Sequence, residues 1–283
     1  MINTVSKICL IIVVAIHGNG IALDGPRTVI VPSGTLKLRA LLWCPPGRGP
    51  YPAVLFNHGS GHASGFDPSG RPDQRHPELL APVFVQHGYA FLYLYRRGDG
   101  LSRNQGTPAG DLMDRELAVS GQEARNKIQL HLMETDELDD VLAGLAFLRT
   151  LPTVDRNRIA IVGHSFGGSL TILAAERDKT IKAAVVFSAG GYSWERSPLL
   201  RTRLLTAVAD MSVPIFLIHA ANDYSVIPGE TLSAEMDRLK KRQRLRIYPA
   251  TGQTVDEGHD FIHREVTTWE PDVFQFLDEY VRR

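Results

Sequence analysis

Short, nearly unbroken apolar runs alternate along this chain with longer stretches of mixed polarity. The runs at 36–43, 53–57, 90–95, 159–162, 183–187, 215–219 and 244–248 are of strand length and predict strands buried on both faces. Helices are expected in the intervals. Buried strands separated by helices build a mainly parallel sheet covered on both faces, since parallel neighbours must be joined by crossovers. The pattern therefore predicts an α/β fold. Cys44-Pro45-Pro46-Gly47-Arg48-Gly49-Pro50, between the first two runs, cannot hold a regular ladder and reads as a turn rather than a domain linker.

One further run stands outside this alternation. Lys7 precedes the apolar stretch Ile8-Cys9-Leu10-Ile11-Ile12-Val13-Val14-Ala15-Ile16, which falls short of the roughly 20 residues that span a bilayer. A basic residue followed by a short apolar run is the layout of a secretory signal peptide. Residues 1–22 are expected to form such a signal, with small residues at Gly18, Gly20 and Ala22 permitting cleavage, and 23–283 a single domain. A secreted or periplasmic location follows, with an uncleaved membrane anchor as the alternative. Cleavage removes Cys9 and leaves Cys44 without a partner for an internal disulfide, so the core itself must hold the fold.

Composition narrows the partners. Lys and Arg total 31, as do Asp and Glu, so no net charge draws the molecule to nucleic acid. A chain of 283 residues with 43% hydrophobic content can bury one large core.

The candidate chemistry concentrates where the fourth run ends. Arg158-Ile159-Ala160-Ile161-Val162 passes directly into Gly163-His164-Ser165-Phe166-Gly167, a pentapeptide that sets a serine on a tight strand-to-helix turn. The flanking glycines admit close approach of neighbouring chain and the strained backbone that lifts the hydroxyl above the sheet. Phe166 opens the following helix, where free N–H groups and the macrodipole favour a developing negative charge. Ser165 is thus the candidate nucleophile and the Phe166 N–H a candidate oxyanion donor. In enzymes built on this turn an acid and then a histidine follow the serine along the chain. Asp223 emerges in a turn beyond the run 213–219, and His259 lies in Glu257-Gly258-His259-Asp260-Phe261, where Gly258 suggests a loop. The carboxylate would fix the imidazole tautomer, and the imidazole would take the serine proton and return it to the leaving group. Asp256, Glu257 and Asp260 are alternative orienters, ranked below Asp223 because only Asp223 stands at a strand end. His259 and His263 have the spacing of a shared metal, but Asp260 stands where a zinc peptidase needs Glu, so no metal is expected. The glycines at 59, 61 and 65 are spaced wrongly for a dinucleotide loop, and no cofactor is expected.

From about residue 36 onward these elements resemble, in order, the α/β-hydrolase superfamily. Ile218-His219-Ala220-Ala221-Asn222-Asp223-Tyr224-Ser225-Val226 and Gly258-His259-Asp260-Phe261 are most similar to the dienelactone hydrolase and prolyl-oligopeptidase-related group. The resemblance implies that Pro52 to Gly61 form the strand-three loop, with the Ser60 backbone N–H as second oxyanion donor. It also implies that Tyr93 to Ser102 form the strand-four exit, with Arg97 and Ser102 in structural positions. The activity it implies is cofactor-free acyl transfer on a small-molecule ester or related acyl bond. Dienelactone hydrolases proper carry a cysteine nucleophile where this chain has Ser165, and the sequence shows no propeller like that of prolyl oligopeptidases. A serine aminopeptidase or amidase, and a non-catalytic binding module of the same fold, are the alternatives. Two stretches exceed what the fold needs, 99–134 and 190–210, and both leave the carboxyl ends of strands, where open α/β sheets build ligand crevices. They are expected to roof the site. Tyr192 and Trp194 within the second are read as packing beneath it, and His58, His62 and His219 as hydrogen-bonded packing residues.

Overall fold

A computed structural model of the chain describes residues 25–62 and 76–282; the candidate signal at 1–22, with Cys9, lies outside the described residues. Each expected strand is present: β2 (Leu36–Trp43), β3 (Tyr51–Asn57), β4 (Ala90–Tyr95), β5 (Val154–His164), β6 (Ala183–Phe187), β7 (Ile215–Ala220) and β8 (Gln243–Tyr248). One more, β1 (Arg27–Ser33), pairs antiparallel with β2 at the sheet edge. The sheet order is β1-β2-β4-β3-β5-β6-β7-β8. The β2–β4 pair is antiparallel and every pairing from β4 through β3 to β8 is parallel.

The helices are α1 (Pro77–Gln86), α2 (Ala109–Glu134), α3 (Asp136–Thr150), α4 (Phe166–Arg177), α5 (Pro198–Asp210), α6 (Ile227–Arg238), α7 (Val255–His259), α8 (Phe261–Arg264) and α9 (Val266–Val281). Strand side chains alternate between faces, and so the apolar runs feed two cores. Leu55, Leu92, Leu94 and Ile161 join residues of α2 to α6 on one face. Val54, Phe56, Phe91, Tyr93 and Val162 join residues of α1, α8 and α9 on the other. This double burial explains why the central strands read as unbroken apolar runs.

One local expectation needs correction, and one is met. His259 closes the one-turn helix α7 rather than sitting in a loop, because Thr254 and Glu257 cap its start reciprocally. Gly258 is required there for close approach: a Cβ would stand 2.5 Å from the Asn222 carbonyl oxygen. At the exit of β4, Arg97 reaches Asp136 and Asp140 as a structural residue and Ser102 Oγ donates to the Tyr95 carbonyl, but Arg96 is the fully buried guanidinium.

Candidate active site

The parallel strands deliver their carboxyl ends to one edge, and the candidate residues gather there. Ser165, between β5 and α4, has φ 57° and ψ −119°, in the left-handed half of conformational space where an L-residue is strained. Its N–H is held by the Phe187 carbonyl at 2.9 Å. The glycines around it serve contact: a Cβ on Gly167 would stand 2.2 Å from the carbonyl oxygens of Asn57 and His58, and one on Gly163 would stand 2.3 Å from Thr171 Oγ1. Helix α4 can therefore lie directly against the end of β3. Phe166 is its first residue, so the Phe166 N–H has no intrahelical acceptor.

His259 Nε2 lies 2.9 Å from Ser165 Oγ, and His259 Nδ1 lies 2.7 Å from Asp223 Oδ1. A carboxylate only accepts, so Nδ1 carries the proton and Nε2 is free to accept from the serine. Asp223 is held from three sides. The Tyr224 N–H donates to Oδ1 at 2.7 Å, and the His219 Nδ1–H donates to Oδ2 at 2.8 Å. Burial alone would push the Asp223 carboxyl up, but the charge of His259 and the hydrogen bonds from His219 and His259 outweigh it and hold it well below the usual carboxylate range.

The competing acids are engaged elsewhere. Asp256 accepts from the Tyr224 hydroxyl, Glu257 caps Thr254, and Asp260 accepts from His263 Nδ1 at 2.6 Å. His164, buried beside the nucleophile, donates from Nε2 to the His259 carbonyl at 2.7 Å. Burial, and then the nearby His259 and His263, push the His164 imidazole down to about 3, which keeps it neutral. Among the described residues, no group of three His, Cys, Asp or Glu side chains is placed to hold a metal ion.

Arg96 is a buried neighbour of the candidate site that the sequence reading passed over. It is fully buried, pairs with Glu137 at 2.5 Å, and donates to the His58 and Gly59 carbonyls at 2.9 and 2.8 Å. It thereby grips the two peptides preceding Ser60. A Cβ added to Gly59 would contact Ser165 Cβ at 3.7 Å, which brings this loop beside the nucleophile, with Ser60 exposed next to it.

The two surplus segments reach the same edge. At the start of α2, the Gly110 N–H bonds the Gly61 carbonyl at 3.0 Å, and His62 lies 3.1 Å from Asp111. In the second segment, Gly191 packs against Asp223, where a Cβ would come within 3.0 Å of Oδ1. Tyr192 and Trp194 part company. Trp194 is core at 2% exposure, whereas Tyr192 is exposed and meets Tyr224 edge-on, and Tyr224 in turn meets His259. Arg125 and Arg196 lie over the Tyr192 ring at 5.6 and 4.3 Å.

A mostly parallel sheet flanked by helices, with a serine on the turn after its central strand, defines a serine hydrolase of the α/β-hydrolase fold. The chain belongs to the dienelactone hydrolase family, whose profile matches residues 74–269. It is similar to a polyketide transferase of a Penicillium species, 28% identical over 163 residues that make up 56% of this chain and 48% of the relative. The chain thus spans about half the length of the curated relatives it matches. Among solved structures it resembles the acylaminoacyl peptidase of Pyrococcus horikoshii, with TM-score 0.65, 19% identity, and coverage of 93% of this chain and 42% of that one. It also resembles the dienelactone hydrolase of Anabaena variabilis, with TM-score 0.60, 20% identity, and coverage of 92% and 100%. At those identities the structural likeness speaks for the fold.

Proposed function

We propose that the chain hydrolyses carboxylic esters, or closely related acyl bonds, of small molecules through a covalent acyl-enzyme on Ser165. The observation that carries this reading is the unbroken hydrogen-bond chain from Ser165 Oγ through His259 to Asp223, at 2.9 and 2.7 Å. Ser165 Oγ attacks the carbonyl carbon while its proton passes to His259 Nε2. Collapse of the tetrahedral intermediate breaks the bond to the leaving alkoxide, which takes that proton from Nε2. Water then attacks the acyl-enzyme by the same exchange and releases the acid, and the proton returns to Ser165. Asp223 keeps the Nδ1 proton in place and stabilises the imidazolium.

The oxyanion is assigned to the N–H groups of Phe166 and Ser60. Arg96 binds the Gly59 carbonyl, and in a trans peptide the N–H of the next residue points the opposite way. The Ser60 N–H is accordingly turned away from Arg96, which supports its assignment. A well-aimed donor of this kind is worth about 3 to 4 kcal/mol in the transition state. The segments at 99–134 and 190–210 roof the site and select the acyl group. The reading includes export, with residues 1–22 removed to leave 23–283 as a secreted or periplasmic enzyme; retention of the apolar run as an anchor is the alternative.

The test is a fluorophosphonate probe on the purified chain from residue 23, with mapping of the modified peptide and a panel of p-nitrophenyl esters beside aminoacyl anilides. Labelling at Ser165 with ester turnover is the expected result. Preferential anilide cleavage would replace the esterase reading by an aminopeptidase, and a folded but unlabelled protein would put a binding module in its place.

A further inference from the structure

We infer that His219 is a positioning residue of the acyl-transfer site, holding the Asp223 carboxylate in the orientation that His259 requires. This rests on the reading of Ser165, His259 and Asp223 as one catalytic unit. A carboxylate rotates easily about its last torsion, so an acid bound through one oxygen alone does not fix an imidazole well. Here Oδ1 accepts from His259 and from the Tyr224 N–H, while Oδ2 accepts from His219 Nδ1 at 2.8 Å. The third bond closes the rotation that the other two leave open. His219 belongs to β7, packed between β6 and β8, and is 1% exposed, so the restraint is anchored in a rigid element.

The surroundings make room for this ring. A Cβ on Gly229 of α6 would come within 2.8 Å of His219 Cδ2 and 3.0 Å of Nε2. Among the described residues, Asp223 is the one carboxylate within ion-pair distance of His219, and His259 stands on the far oxygen of the same group. An imidazole that only filled space at the end of β7 would be costlier to bury than an aliphatic side chain. Its donation to the acid gives it a use that packing does not.

The test compares His219→Asn with His219→Leu. The Asn amide nitrogen stands the same number of bonds from Cβ as His Nδ1 and keeps the donor, whereas Leu fills the space without one. In His219→Leu, kcat on a p-nitrophenyl ester and the rate of phosphonylation at Ser165 should each fall roughly 10- to 100-fold, the scale of one lost hydrogen bond to a charged group. KM should change little. The acid limb of kcat/KM should move to higher pH, because a carboxylate relieved of one donor stabilises the His259 imidazolium more strongly. His219→Asn should stay within a few-fold of the parent in kcat, KM and phosphonylation rate and keep the parental pH limb. A folded Leu variant with parental kcat and pH limb overturns the inference, as does an Asn variant that falls as far as Leu. If Leu does not fold, His219→Ala takes its place against Asn under the same criteria. A parent that is not labelled at Ser165 removes the hydrolase reading itself, whereas a labelled parent with indistinguishable variants removes only the role of His219.

Discussion

Ser165 holds a backbone conformation that costs on the order of 1 to 3 kcal/mol, and its neighbours impose it. Its N–H is tied to the Phe187 carbonyl, and α4 is pinned to β3 across Gly167. Strain kept at one residue by packing around it points to a use for the side chain, and removing that side chain should leave the fold untouched. Ser165→Ala is expected to lower kcat on the order of 10⁶-fold, as for triads that act as a unit, with an unchanged unfolding midpoint; retained turnover would exclude Ser165. Asp223→Asn should cost about 10⁴-fold through the wrong imidazole tautomer. Asp256→Asn should lie within a few-fold of the parent, because Asp256 accepts from the Tyr224 hydroxyl rather than from His259, and steady-state kinetics on the pair decides between the two acids. That Ser165, Asp223 and His259 would meet was legible in the sequence, because their chain order and the strand ends before Ser165 and Asp223 set their places. Arg96 was not, and His219 was legible only as a hydrogen-bonded packing residue, without its partner. The partners of Arg96 are the Glu137 carboxylate of α3 and backbone carbonyls of the loop after β3, and that of His219 is a carboxylate brought back by the turn after β7, so only the folded chain shows the contacts.

At the level of elements, the central strands were legible because both of their faces are buried. β1 was not, because an edge strand with Ile30 half exposed and Pro32 inside it resembles a loop in composition. Gly258 misled for a related reason. A glycine in a polar stretch suggests a turn, whereas here it admits the Asn222 backbone beside a capped helix. The same close-approach argument gives a prediction for the elbow. A methyl group on Gly167 would stand 2.2 Å from two carbonyl oxygens of the β3 end, and backbone cannot move aside as a flexible side chain does. Gly167→Ala should destabilise by about 3 kcal/mol or more, read as a lower urea midpoint, and a parental midpoint would show that α4 can retreat from β3. Arg96→Leu tests the opposite end of that contact. It strands Glu137 in the core and should cost about 3 to 5 kcal/mol, unless Glu137 takes a proton and limits the loss.

For the whole molecule, His164 beside the site couples stability to pH apart from any effect on turnover. His164 is fully enclosed and pushed down to about 3 by burial and by His259 and His263, while an unfolded histidine titrates near about 6.5. Between those values the unfolded chain binds a proton that the folded chain refuses, so stability is complete above about pH 6.5 and is lost as pH falls, by about 1.4 kcal/mol per unit. Asp223 acts in the same sense at lower pH. Its folded carboxyl lies far below the ordinary range, so its contribution is lost only as pH falls below about 4, where the unfolded side chain begins to protonate. Glu137 opposes both, since burial outweighs Arg96 and raises its carboxyl; its cost is relieved as acid supplies the proton. Glu137 titrates within the window from about pH 6.5 to 4.5, from about pH 4.5 upward, so His164 is isolated not by the window itself but by comparing the parent with a variant in which only His164 is changed. In His164→Gln the amide nitrogen keeps a donor toward the His259 carbonyl and removes the titration. Urea unfolding across that window should show the parent losing about 2 kcal/mol relative to the variant, and parallel curves for the two proteins would show that His164 takes up its proton without unfolding the chain.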